Sequence, residues 1–278
     1  MIFNNFNFLP IPKYCQTCGV DKEDIVNNEC HYAFCSTHCF NIASITHYGG
    51  AIIALQFFQG EPCIILIKDK SRKNYISELP GGRKKSKEGS GKTSARETTE
   101  EFGLKNPISY TYLESKGVRL VSWFKKNKNN MNPSPKLNPN FINISSANNE
   151  INTEDYYNYT TYVISMMNFD IINANLAVKS RLSDDELQDE WKETECIYLV
   201  PIRNLENFIN NKNNAILDYK DQPIPPLSTK WTKLLYNMDT IRIMKEVIYS
   251  NISPWNVKVK KMNYEDVFVW DHTDLIEN

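Results

Sequence analysis

The chain has 278 residues, of which 41% are hydrophobic and 23% charged, with a formal net charge of -1. That is the profile of a globular protein, and its length allows one large domain or two smaller ones. A balance this close to neutral argues against bulk binding to nucleic acid and leaves only local basic patches for it. No apolar run approaches the length of a membrane span, and Met1 to Tyr14 lacks a basic stretch followed by an apolar core. An intracellular place, cytoplasmic or nuclear, is therefore expected.

Taken in order, the chain first presents Cys15, Cys18, Cys30, Cys35 and Cys39, five of its seven cysteines. Clustered cysteines without a secretion signal favour metal binding over disulfides. The pattern CQTC followed by FCSTHCF resembles treble-clef zinc fingers of the FCS and MYND type. The resemblance implies Cys15, Cys18, Cys35 and Cys39 as ligands of a structural zinc, with Cys30, His31 and His38 as spares. The zinc ribbon of NADH pyrophosphatases is a second parallel, but its second knuckle is spaced differently. The SQPWPFPxS array of those enzymes is also missing here.

Next, AIIALQFF and CIILIK, joined across Gln59-Gly60-Glu61-Pro62, read as a β-hairpin. A short strand over Tyr75 to Leu79 delivers the chain to Pro80. Gly81 and Gly82 let the backbone turn and approach a ligand closely. The loop from Arg83 to Lys92 is lysine-rich, and Arg83 and Lys84 are its candidates for contact with a substrate phosphate. Gly91-Lys92-Thr93 has the ending of a P-loop, but Ser86 stands where a Walker A motif needs its first glycine.

A helix is expected over Thr93 to Phe102, with Thr93 or Ser94 as its N-cap. It places Glu97, Glu100 and Glu101 on one face, at i, i+3 and i+4. Like charges so placed repel, which makes sense if something cationic sits between them. All-oxygen ligands suit Mg²⁺ or Mn²⁺. The full pattern, Gly82, Glu88, Arg96-Glu97, Glu100-Glu101 and Gly103, resembles the signature of the Nudix hydrolases, G x5 E x7 R E U x E E x G U with U bulky and apolar. One position departs from it, Thr98 at the first U. The resemblance implies metal held by Glu97, Glu100, Glu101 and Glu88 with the Gly82 carbonyl, and Arg96 orienting a glutamate.

Downstream, strands are expected at Ile108 to Leu113 and Lys116 to Phe124. A polar, proline-punctuated insertion over 125–155 follows, then a strand over Tyr156 to Met167. Asn158-Tyr159-Thr160 has the form of a glycosylation sequon, for which no glycan is expected in so asparagine-rich a chain. The acidic stretch Ser183 to Glu195 precedes the strand CIYLVPI, and the resemblance makes Glu190, Glu193 and Glu195 candidates for the general base, in competition with Glu100. Asn204 to Ile209 reads as a closing helix and Asn210 to Pro226 as a linker. Leu227 to Tyr249 has helical periodicity, and short terminal strands are expected at Asn256 to Lys261 and Val267 to Trp270.

The expected fold class is α/β (α+β), a Nudix α/β/α sandwich with a mixed sheet. The expected domains are a zinc module over 1–46, a Nudix domain over 47–210 and a C-terminal extension over 211–278. The implied activity is metal-assisted attack of water on a nucleoside diphosphate linked to another group. Glu100, Glu101 and Glu193 are the catalytic candidates. The sequence at Pro80-Gly81-Gly82-Arg83 looks more like nucleotide and ADP-sugar hydrolases than like decapping enzymes, which carry a PKGK-type sequence there, and mRNA decapping is the alternative. A nucleotide is the expected partner and no membrane is, with RNA not favoured by the charge. A binding scaffold that recruits a partner protein through the zinc finger is the non-enzymatic alternative.

Overall fold

A computed structural model describes residues 15–16, 34, 37–70, 77–104, 108–125, 156–166, 169–211, 215–235 and 238–250. Its centre is the expected hairpin of β1 (His47–Phe58) and β2 (Glu61–Asp69), with Phe58 opposite Glu61. The connecting Gln59 and Gly60 have φ of 51° and 83°, the paired left-handed values that match the twist of the two strands.

Five more strands complete the sheet. They are β3 (Ser77–Glu78), β4 (Gly81–Arg83), β5 (Val118–Lys125), β6 (Tyr156–Ser165) and β7 (Thr194–Pro201). The order is β3-β2-β1-β6-β5, with β7 on β2 and β4 on β1. β1 and β6 run parallel and the other pairings are antiparallel, so the sheet is mixed as expected. Along one flank of β1, β2 pairs with Ala54 to Phe58 and β4 with Gly49 to Ala51. The chain between β3 and β4 enters this fork, where the Ile52 N–H donates to the Pro80 carbonyl at 3.0 Å.

The central strands are apolar on both faces because both faces are covered. Ala51, Ile53, Leu55, Ile64, Leu66 and Val163 join one core with α5 (Ile202–Asn211), α6 (Thr229–Leu235) and α7 (Met238–Ser250). Ile52, Ala54, Ile65, Ile67 and Tyr162 join the other with α2 (Ser90–Phe102), α3 (Tyr110–Lys116) and α4 (Ile171–Leu182). Odd residues of β1 face one layer and even residues the other, which is the period of a strand. A smaller cluster joins Cys15, Phe34 and α1 (Thr37–Ile45) to Val121 and Trp123 of β5.

The structure corrects several expectations. The segment Ile108 to Leu113 is not a strand: Ser109 accepts from the Tyr112 N–H at 3.2 Å and starts α3 instead. This hydroxyl cap outweighs the β-branched and aromatic bias of the segment. Helix α2 begins three residues ahead of the expected start, after Gly89 and with no side-chain cap. The Thr93 hydroxyl, expected as a cap, donates back to the Gly89 carbonyl at 3.0 Å. Helix α4 was not anticipated, although Asp170 caps it by accepting from the Ile172 and Asn173 N–H groups, each at 3.0 Å.

The expected linker is tied into the core, with Ile216 and Ile224 buried. Ser77 and residues 226–228 exchange backbone bonds on both sides, Ser77 N to Pro226 O at 2.8 Å and Ser228 N to Ser77 O at 3.0 Å. Asn158 is buried and its amide donates to the Ala43 carbonyl at 2.6 Å, which leaves no room for a glycan. The insertion beyond Lys125, the terminal strands, Cys18, Cys30, His31 and Cys35 lie outside the described residues. No described helix is long and apolar enough to cross a membrane.

Trp231 is among the largest fully buried side chains and shares its core with β1, β2 and β6. Trp231→Ala is expected to cost about 3–5 kcal/mol. Urea denaturation should still show one cooperative transition, because α6 and α7 belong to the same core as the sheet.

Candidate active site

The fork beside β1 fixes the site. At Gly81 a side chain would run into Ala51 and the Gly50 carbonyl, and at Gly82 it would run into the carboxylate of Glu97. The bare Gly81 lets β4 lie against β1, and the bare Gly82 lets helix α2 lie this close to β4. With the gap closed, the Gly81 N–H donates to Glu101 Oε2 at 2.5 Å, so backbone and helix are joined through a carboxylate.

Arg96 is the hub of the acidic face. Its Nε and Nη2 donate to the two carboxylate oxygens of Glu88 at 2.8 and 3.1 Å. Its Nη1 reaches Glu100 Oε2 at 3.0 Å, and its Nη2 lies 2.8 Å from Glu97 Oε1 and donates to the Arg83 carbonyl at 2.9 Å. The cation anticipated between the glutamates is thus supplied in part by the chain itself. Glu88 is held further by the Lys85 N–H at 2.8 Å and by the Thr93 hydroxyl at 3.3 Å. Burial resists ionisation of Glu88, but its bonds to Arg96 and the Lys85 N–H outweigh this and hold its pKa below the usual range.

A second stretch of chain brings one more carboxylate. A 3₁₀ turn, Asp189–Lys192, ends at Glu193, whose carbonyl accepts from the Lys70 N–H at 2.6 Å. Burial, then the charges of Asp69, Glu100 and Glu190, push the Glu193 pKa up. Glu97 is raised by burial, against the pull of Arg96, with Glu100 and Glu193 adding to the rise. Glu101 stands well above the ordinary carboxylate value of 4.5, through burial and then the charges of Glu97, Glu78 and Glu193, with the Gly81 N–H opposing. The carboxylates of Glu97, Glu101 and Glu193 therefore feel one another, and one guanidinium does not neutralise them all.

Of the other candidates, Glu195 is bound to Lys68 at 2.5 Å, and Glu190 meets Lys85 at 3.3 Å. Lys85 also comes within 4.0 Å of Glu100. Arg83 and Lys84 are exposed beside the fork, with the Arg83 guanidinium 5.6 Å from the centre of the Tyr48 ring. In the N-terminal cluster Cys15 and Cys39 are buried while His38 is exposed. Sequence reasoning missed Arg181, which donates from Nη1 to the Glu100 carbonyl at 2.6 Å. It lies on the unanticipated helix α4, whose signals were the Asp170 cap and the basic last turn.

Among the described residues, no three His, Cys, Asp or Glu side chains form a finished metal site as they stand. The donor chemistry nevertheless fits a hard divalent ion, because the carboxylates are all-oxygen donors with an unrelieved mutual repulsion.

No family model matches the chain, and no curated protein matches it. Among solved structures it is similar to an Ap4A hydrolase of C. elegans, at 11% identity and a TM-score of 0.35, over 70% of this chain and 96% of that one. It is also similar to the Nudix hydrolase RenU of M. smegmatis, at 10% identity and a TM-score of 0.35, over 73% and 86% of the two chains. The Nudix domain of Shewanella oneidensis NrtR, solved with ADP ribose, matches at 8% identity and a TM-score of 0.34, over 74% and 87%. Likeness at this level leaves the function to be argued from the site itself.

A carboxylate whose pKa is raised on folding destabilises the fold once it ionises. The folded state holds the proton while the unfolded state releases it near pH 4.5, so stability falls as pH rises above that value. In EDTA at neutral pH, Glu101→Gln should accordingly melt at a higher temperature than the wild type. The two should converge below pH 4, and differential scanning calorimetry across this range checks it.

Proposed function

We propose that the chain is a Nudix-type pyrophosphohydrolase acting on a nucleoside diphosphate linked to another moiety. The observation that carries this reading is the cluster of Glu88, Glu97 and Glu100 held by Arg96 beside the glycines of the fork, with Glu193, about a hundred residues away in the chain, near enough for its charge to act on Glu97 and Glu101. Glu97, Glu100, Glu101 and Glu88, with the Gly82 carbonyl, would hold Mg²⁺ or Mn²⁺. Such an ion offsets phosphate charge and acidifies bound water. The reaction forms a bond from water oxygen to phosphorus and breaks the bond from that phosphorus to the bridging oxygen, leaving two phosphorylated products.

The chain's own residues supply the rest. Arg96 fixes the rotamers of Glu88 and Glu100 by direct hydrogen bonds and that of Glu97 by an ion pair. Arg83 and Lys84, exposed beside the fork, meet substrate phosphate. A proton leaving the attacking water passes to a carboxylate, with Glu100, Glu101 and Glu193 as the candidates. Burial and the charges of Asp69, Glu100 and Glu190 push the Glu193 pKa upward, the direction in which general bases are tuned.

We further propose that Cys15 and Cys39, buried in one cluster, are two of the four ligands of a structural zinc completed by Cys18 and Cys35. The segment at Cys15 is tied to β5, where Trp123 Nε1 donates to the Gln16 carbonyl at 2.6 Å. Metal analysis should find about one zinc per chain, lost in Cys15→Ser.

The central test is hydrolysis of a panel of dinucleotides, ADP-sugars, nucleoside triphosphates and capped RNA with Mg²⁺ or Mn²⁺. Turnover should be confined to one substrate class and should fall by roughly two to three orders of magnitude in Glu101→Gln. Capped RNA as the sole substrate would favour the decapping alternative. No metal-dependent turnover by the folded, zinc-loaded protein would favour a binding scaffold.

A further inference from the structure

Helix α2 ends at Gly103, whose φ of 67° is left-handed and turns the chain away. The space above this glycine is filled from another element: a side chain at 103 would collide with the guanidinium of Arg181. From there Arg181 Nη1 donates to the Glu100 carbonyl at 2.6 Å, and its guanidinium carbon lies 5.8 Å from the centre of the Trp191 ring. Trp191 belongs to the 3₁₀ turn that ends at Glu193. One side chain therefore touches both stretches that carry the acidic cluster, the end of α2 and the turn before Glu193.

No carboxylate pairs with Arg181 among the described residues, and its Nε is buried without a partner. Burial lowers its pKa, and nothing offsets that effect. A desolvated cation held this way is a cost that stability alone does not call for. A planar guanidinium accounts for it, because it can bond a carbonyl with its edge and lie against a ring with its face. An ammonium can satisfy the helix end but not both surfaces at once.

We infer that Arg181 and Trp191 form a positioning clamp that sets the place of Glu193 relative to Glu100 and Glu101. Two other tethers act on the same turn, the Lys70 N–H to the Glu193 carbonyl at 2.6 Å and Lys85 to Glu190 at 3.3 Å. The clamp supplies the third restraint, from the side of α4. Its catalytic consequence rests on the hydrolase reading above, whereas its mechanical consequence does not.

The test compares Arg181→Lys, Trp191→Ala, Trp191→Phe and the double variant Arg181→Lys/Trp191→Ala in the full chain. For each, kcat and KM are measured on the substrate the panel identifies, together with hydrogen exchange in peptides covering 189–193. Arg181→Lys and Trp191→Ala should each lower kcat about tenfold with KM changed less than about twofold, as expected when a supporting residue shifts a catalytic one. Exchange over the turn should rise in both, the double variant should be no worse than either, and Trp191→Phe should restore the wild-type values. Wild-type kcat in Arg181→Lys overturns the positioning role, because a lysine preserves the charge at the helix end, and multiplying effects in the double variant overturn the coupling. If the wild type hydrolyses nothing in the panel, the hydrolase reading fails by itself. The clamp is then judged on exchange alone, which upholds it if raised in Arg181→Lys and overturns it if unchanged.

Discussion

The structure depends on packing one acidic helix against one backbone at very short range. Helix α2 can rest on β4 only because Gly82 carries no side chain, just as β4 can rest on β1 only because Gly81 carries none, and the contact with α2 is made through carboxylates. Glu101 takes the Gly81 N–H, and the Glu97 carboxylate stands over Gly82. A glutamate cluster that would merely repel itself on a solvated helix is thereby partly desolvated. Arg96 makes this tolerable by hydrogen bonds to Glu88 and Glu100 and an ion pair with Glu97, since a buried charge persists only when it is paired.

One guanidinium does not offset the whole cluster: Glu101 and Glu193 lie beyond its bonds, and for Glu97 burial outweighs its pairing with Arg96. Glu97, Glu101 and Glu193 keep raised pKa values because burial removes water and their neighbours are like charges. Such a site is costly to hold together and gains from a divalent cation, which is how binding sites come to oppose stability. The sheet bears that cost. Its central strands are buried on both faces, and the C-terminal helices add Trp231, Leu235, Met244 and Ile248 to one of them.

Much of the candidate site is legible in the sequence. The spacing from Gly82 to Gly103 places three carboxylates on one helical face, and the hairpin from His47 to Asp69 follows from its β-branched runs and Gly60. These features are local, because helix and strand periods act within one or two turns. Local reading also erred where a single hydrogen bond decided the outcome. Ser109 turned an expected strand into α3, and a segment read as a linker supplied Ile216 and Ile224 to the core.

The sequence by itself determined that an acidic helix follows a pair of glycines, and that the flanking runs build a sheet. Tertiary structure alone decided which remote residues lie beside the acidic helix. Glu193, Glu190 and Glu195 look alike in sequence, yet Glu195 turns to Lys68 and Glu190 to Lys85, while the charge of Glu193 acts on Glu97 and Glu101. Nor could the chain order announce that Arg181 would lie over Gly103 and against Trp191. The physical reason is that such contacts join segments far apart in sequence. Their partners are chosen by how α4 and the turn before β7 pack on the sheet, and no local period encodes that choice.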